Sequence, residues 1–261
     1  MLRSLEDTVD LASNEVVLVD DASSDGTADF LASLEGKVSF SILRNERNLG
    51  FAASNNKAAK AATGEILVFL NNDLELTSGW LAPMLDLLAT LPEAGAIGNV
   101  QRNLKTGLVD HAGIFFDLEG MPTHAHKNRA NPPPGPWKER NAITAACIAI
   151  PRALFLQMNG FDEGYRNGVE DVDLCMRLRQ AGYRLYVSHQ SVIGHHISAA
   201  PGRNLHNDRN TQRFRGLWSD YARGFGRSEW APEYFRRYAR YWWRIDPKLF
   251  CKALFRLCFR F

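Results

Sequence analysis

The order in which apolar runs and helical patterns alternate constrains this chain most. EVVLVDD (15–21), VSFSIL (38–43) and EILVFL (65–70) are short runs of apolar and β-branched residues, the length and composition of buried strands. Helical spacing surrounds them. LRSLEDTVDLA places Leu2, Leu5, Val9 and Ala12 on one face, and FAASNNKAAKAA is a helix closed by Gly64. Ser24 or Asp25 offers a cap for a helix running to about Leu34. Thr77 or Ser78 does the same for one carrying Leu81, Leu85 and Leu88. This succession predicts an α/β fold with a mostly parallel sheet covered by helices on both faces.

Beyond Gly95 the pattern changes. GIFFDLEG reads as a strand and turn, and NPPPGPWKE (131–139) as a Pro-rich loop that is either a lid or a linker. TAACIAI (144–150) is another buried strand. GVEDVDLCMRLRQAGY is a helix with acids in its first turn, Arg177 and Arg179 near its end and Gly182 as its stop. Charge divides the chain in two. Residues 203–261 hold 14 Lys and Arg against 5 Asp and Glu, whereas residues 1–202 hold 17 against 24. A domain over 1–202 and a basic, aromatic-rich helical tail over 203–261 are therefore expected.

No apolar stretch approaches the roughly 20 residues of a membrane span. The acidic N-terminus is unlike a signal peptide. Cys147, Cys175, Cys251 and Cys258 show neither C-x-x-C nor zinc spacing, so free thiols in a cytoplasmic protein are expected.

Two strands end in carboxylates, at Asp20 and Asp21 and at Asn71-Asn72-Asp73. In a parallel sheet these ends share an edge, so the acids should converge, and converging acids repel unless a cation or hydrogen-bonding ligand lies among them. An ordinary strand-to-helix turn is the other reading of Asp73. Neither a G-x-G-x-x-G fingerprint nor a P-loop is present, which disfavours a dinucleotide dehydrogenase or a P-loop kinase and favours a metal-bound diphosphate ligand. In the helix at 170–181, Asp171 shares an apolar stripe with Leu174, Cys175 and Leu178, whereas Glu170 lies off it. Asp173 and Arg177 form an i,i+4 pair placed on the outer side. GHHIS (194–198) offers two histidines, as a metal ligand or as packing.

VLVDDASSDGT, RNLGFAASNNKA, GEILVFLNND, NGFDEGY and GVEDVDLCMRLRQAGY, in this order, resemble family 2 glycosyltransferases of the GT-A fold, nearest to rhamnosyltransferase-like members that build surface polysaccharides. The resemblance covers roughly residues 14–200. It implies an inverting, metal-dependent transferase that moves a sugar from a nucleoside-diphosphate donor to a hydroxyl of a glycan or lipid-linked acceptor. It implies that Asp21 or Asp20 contacts the nucleotide, that Asn48, Gly50, Asn55 and Asn72 line the donor pocket, and that Asp73 holds Mg²⁺ or Mn²⁺. A later histidine completes the metal shell, His195 first and His196 as the alternative. Asp171 would be the general base, with Glu170 and Asp173 supporting it or the acceptor.

Two departures accompany the likeness. Asn71 stands where a strict D-x-D has its first acid, and the strand that opens the family pattern is absent, so about 20–40 residues upstream of Met1 are expected, carrying that strand. A non-catalytic sugar-nucleotide or partner-binding module is the rival function. For the tail, an anionic membrane surface on the inner face and a helical cap docked through Phe214 and Trp218 are both open, with Pro247 dividing it into two helices. A nucleic-acid role has no RNA-binding motif to support it.

Overall fold

A computed structural model describes residues 1–34, 40–196, 205–238 and 242–258. The expected start of the second strand at Val38 and Ser39 and the domain boundary at 202/203 lie outside these residues. The first half runs α1 (Leu2–Thr8), β1 (Val16–Asp20), α2 (Thr27–Ala32), β2 (Phe40–Arg44), α3 (Phe51–Ala61), β3 (Ile66–Leu70), β4 (Leu74–Glu75) and α4 (Ala82–Thr90). Then come β5 (Ala94–Asn103), β6 (Val109–His111), β7 (Ile114–Phe116), β8 (Pro122–His124), β9 (Trp137–Arg140) and β10 (Cys147–Pro151). The chain continues through α5 (Arg152–Gln157), α6 (Glu170–Gln180), β11 (Arg184–His195), α7 (Asn207–Tyr238), a 3₁₀ turn at Trp242–Arg244 and α8 (Pro247–Cys258).

The α/β architecture stands, but the sheet is mixed rather than mostly parallel. Its main path is β3-β10-β5-β11-β4, with β6 on β5 and β9 on β11. Among its pairs only β5 with β11 is parallel. β10 inserts antiparallel between β3 and β5 and pairs with both, and its alternation is regular. Cys147 and Ala149 join Trp80, Met84 and Tyr186 on one face, while Ile148 and Ile150 join Phe69, Phe155 and Phe161 on the other. A strand buried on both faces reads alike in either direction, so composition carried no sign of its sense.

β1 and β2 form a separate parallel pair. Between β1 and β3 runs a cleft of about 470 Å³, with Val16–Leu18 and Ile66–Leu70 along its sides and Asn55, Ala59, Leu5 and Trp80 also lining it. The expectation that Asp20, Asp21 and Asp73 sit on one shared sheet edge therefore fails, because the two strands are not paired. Two local expectations also change. The Pro-rich loop ends in a strand, β9, and His189 ties it down by donating its N–H to Pro136 O at 2.9 Å. Neither Thr77 nor Ser78 caps α4, which starts at Ala82 with Pro83 in its first turn. Thr77 Oγ1 instead donates to Val192 O.

The first part of the basic tail packs into the main core. Phe214 is fully buried, Trp218 packs beside it, and Gly226 lies so close to the Asp117 carbonyl that a Cβ there would collide with backbone. α8 begins at Pro247, as the proline suggested, and rests on α7 through Phe250 against Phe235.

Candidate active site

The turn after β3 is shaped by its neighbours. Asn71 N–H donates to Ala146 O at 2.9 Å, and β4 then pairs with the end of β11, Leu74 opposite His195. This pairing sets Asp73 beside the two histidines. His196 N–H donates to Asp73 O at 2.9 Å while its ring is exposed. The buried His195 ring brings Nε2 to 3.3 Å from Asp73 Oδ2. Asn72 is exposed next to them. On the far side of His195, Nδ1 lies 4.0 Å from Asp110 Oδ2, and Asp110 pairs with Lys127 at 3.0 Å.

A carboxylate oxygen and an imidazole nitrogen at this separation are a donor set suited to a divalent cation that takes its other ligands from water and phosphate oxygens. Among the described residues no group of three His, Cys, Asp or Glu could hold a metal by itself. Asp73 and His195 supply two such donors.

Asp171 stands at the start of α6, whose N-terminal cap is Val169 at φ 76°. A β-branched residue in the left-handed region is strained, and such strain gathers where side-chain aim matters. Asp171 Oδ1 accepts from Val172 N–H at 2.8 Å and Oδ2 from Ala145 N–H at 3.1 Å. The next carbonyl, Ala146 O, accepts from Asn71 N–H, so the turn at 145–146 links the Asn71–Asp73 turn to Asp171. Glu170 is buried, with Oε2 accepting from Gly168 N–H at 2.6 Å. Burial, reinforced by the neighbouring Asp171 charge, pushes its carboxyl up to about 7.

Asp173 departs from its expected position. The pair with Arg177 forms at 2.8 Å, but the Asp173 carboxylate is buried rather than on the outer side, because α7 covers it. Trp218 Nε1 donates to Asp173 Oδ1 at 2.6 Å, so this carboxylate fastens α7 to α6.

Of the residues expected to contact a donor, Asp21, Asn48 and Gly50 gather around one loop. Asp21 Oδ1 accepts from Leu49 N–H at 2.7 Å and Asn45 Nδ2 at 2.9 Å, and Oδ2 from Gly50 N–H at 2.8 Å. Burial pushes the Asp21 carboxyl up, but these donors outweigh it and hold it below the usual range. Asp20 is buried and accepts from Ser23 N–H at 2.9 Å. Gly50, at φ 87°, has Asn167 Oδ1 3.2 Å from where a Cβ would stand. Asn48 Oδ1 accepts from Arg166 at 3.0 Å. Asn55 lies apart from this group, lining the β1–β3 cleft and donating to Phe51 O.

The match to known proteins follows this geometry. Residues 1–144 match the model described as glycosyl transferase family 2, more than half of the chain. The chain belongs to glycosyl transferase family 2. An O-antigen biosynthesis protein of Myxococcus xanthus is 36% identical over 162 residues, 58% of this chain but only 12% of that protein. An N-acetylglucosaminyl-diphospho-decaprenol L-rhamnosyltransferase of Mycobacterium tuberculosis is 27% identical over 72% of this chain and 68% of its own length. Among solved structures, GalNAc-T7 with UDP, GalNAc and Mn²⁺ superposes with a TM-score of 0.63 at 20% identity, over 75% of this chain and 40% of that one. The fold is that of the GT-A glycosyltransferases.

Several residues around these groups carry no motif of their own. Arg166 donates to Leu49 O at 2.8 Å and Asn48 O at 3.0 Å, and Asn167 accepts from Phe51 N–H at 3.0 Å, so the loop before α6 clasps the N-L-G loop. Asp110 and His111 are buried behind His195, and the His111 ring meets His124 edge-on at 4.9 Å. An acid and a histidine side by side in VDHAG were the available signal.

Proposed function

We propose that this family 2 chain is an inverting glycosyltransferase that moves a sugar from a nucleoside-diphosphate donor to a hydroxyl of a glycan or lipid-linked acceptor. The observation that carries this reading is that the turn at 145–146 is tied to Asp171 through Ala145 N–H and to Asn71, in the turn that sets Asp73 beside His195, through Ala146 O. Asp73 and His195 would hold Mg²⁺ or Mn²⁺. When bound, the metal neutralises charge on the departing diphosphate. Asp171 takes the proton from the acceptor hydroxyl as that oxygen attacks the anomeric carbon from the face opposite the leaving group. The Asp21-braced loop with Asn48 and Gly50 forms the wall against which the nucleotide lies, and Asn72 stands exposed at the diphosphate end.

The relatives that act in O-antigen synthesis and on a decaprenol-linked sugar support an acceptor of cell-surface polysaccharide assembly. Exposed Trp242, Trp243, Leu254 and Phe255 support peripheral contact with an anionic membrane on its cytoplasmic side, since among the described residues no helix is long and apolar enough to cross one. A panel of sugar nucleotides with Mn²⁺, read as released nucleoside diphosphate, tests the reading. One donor class should turn over, and Asp73→Ala should weaken its metal-dependent binding. No turnover of any donor, with binding indifferent to Asp73→Ala, would leave the non-catalytic module instead.

A further inference from the structure

Beside the candidate active site lies a second cavity, of about 560 Å³, between the segment after β8 and the end of α7. Its charged lining is one-sided. Lys127, paired with Asp110 outside the lining, stands with Arg129, Arg236, Arg237 and Arg244 around one lining carboxylate, Glu233. That carboxylate is already engaged by Arg236 and by the buried Arg140, at 2.9 Å from the latter. Arg129 is fixed by donating to the Arg236 carbonyl, which holds the two walls together.

We infer that this cavity binds the phosphate or diphosphate group of the sugar acceptor. The inference rests on the glycosyltransferase reading and names its acceptor class. Arg129, Arg236, Arg237 and Arg244 bring four guanidinium groups to one cavity, and such planar, multidentate donors match phosphate oxygens. A diphosphate supplies two adjacent anionic groups, suited to four arginines that line one cavity with a single carboxylate.

Position supports the same assignment. Lys127 pairs with Asp110, Asp110 lies 4.0 Å from His195, and His195 lies 3.3 Å from Asp73, so a short run of side chains joins the cavity to the metal turn. His124, at the cavity wall, stacks edge-on against His111 in that run. At the other end, Arg244 follows the exposed Trp242 and Trp243 directly in sequence, and α8 presents Leu249, Leu254, Phe255 and Leu257 to solvent. An acceptor with a sugar, a diphosphate and an apolar chain would meet the reacting centre, the cation cluster and the apolar surface in that order.

The test is titration of the 261-residue chain with inorganic pyrophosphate in EDTA, which removes metal-dependent binding at the donor site. Three proteins are compared: the wild type, Arg237→Gln/Arg244→Gln, and a control, Arg209→Gln/Arg227→Gln, that loses the same charge elsewhere on the exposed surface. The wild type and control should bind with one saturable stoichiometry, and the cavity variant at least about tenfold more weakly. No saturable binding by the wild type, or equal affinity in the cavity variant, would overturn the assignment.

Flotation on vesicles of phosphatidylglycerol with phosphatidylcholine separates the two sources of phosphate. Unchanged flotation of the cavity variant supports acceptor recognition. Loss of flotation without any pyrophosphate binding would assign the cavity to bilayer headgroups and contradict the proposal. Donor binding with Mn²⁺, measured on the same proteins, keeps the two readings distinguishable. If donor binds normally while pyrophosphate does not, only the cavity assignment fails; if no donor binds at all, the glycosyltransferase reading itself fails.

Discussion

Glu170 and Asp171 are adjacent in sequence, yet the fold gives their carboxyl groups different surroundings. Asp171 is half-buried and holds the Ala145 N–H, whereas Glu170 is buried, with its carboxyl raised to about 7. A carboxyl whose folded value lies above its unfolded one stabilises the fold at acid pH and loses that contribution as pH rises through the folded value. Wild-type melting temperature should therefore carry a decline between about pH 5 and 8 that Glu170→Gln lacks. Parallel melting curves of the two proteins across that range would contradict this. The inward stripe of Asp171 was legible in the sequence because Leu174, Cys175 and Leu178 share its face. The burial of Asp173 was not, since the group that covers it, Trp218, is supplied from 45 residues away. Likewise, which of His195 and His196 turns its ring to the Asp73 carboxylate is set by the pairing of β4 with β11, a contact no local pattern records.

At the scale of elements, the apolar runs and the helix α6 were readable from period and punctuation, and α6 keeps its expected acids, arginines and glycine stop. Strand direction and partner were not. β10 joins β3 and β5 across the sheet from more than 40 residues away, and among the described residues β1 pairs only with β2. A two-stranded sheet beside an open cleft is held less firmly than strands flanked on both sides. Backbone amides of Val17–Val19 should exchange with solvent roughly a hundredfold faster than those of Ile97–Val100. Equal protection would mean that β1 and β2 open only with the whole fold.

Across the whole molecule, α7 is bound into the main core and α8 lies outside it, with Leu254 and Phe255 exposed. Leu254→Glu/Phe255→Glu should abolish flotation on anionic vesicles while leaving donor binding intact; unchanged flotation would remove α8 from membrane contact. The sequence showed the basic and aromatic composition of this region, but where docking ends and exposure begins depends on which residues meet β7 and β8. The reaction itself is tested most directly by Asp171→Asn, measured for donor affinity and for transfer with the donor and acceptor identified by the panel. The amide keeps the shape of the side chain but cannot accept the proton. Donor affinity should stay within about twofold, while transfer falls about 10²–10⁴-fold. Wild-type transfer by Asp171→Asn would contradict its role as the base.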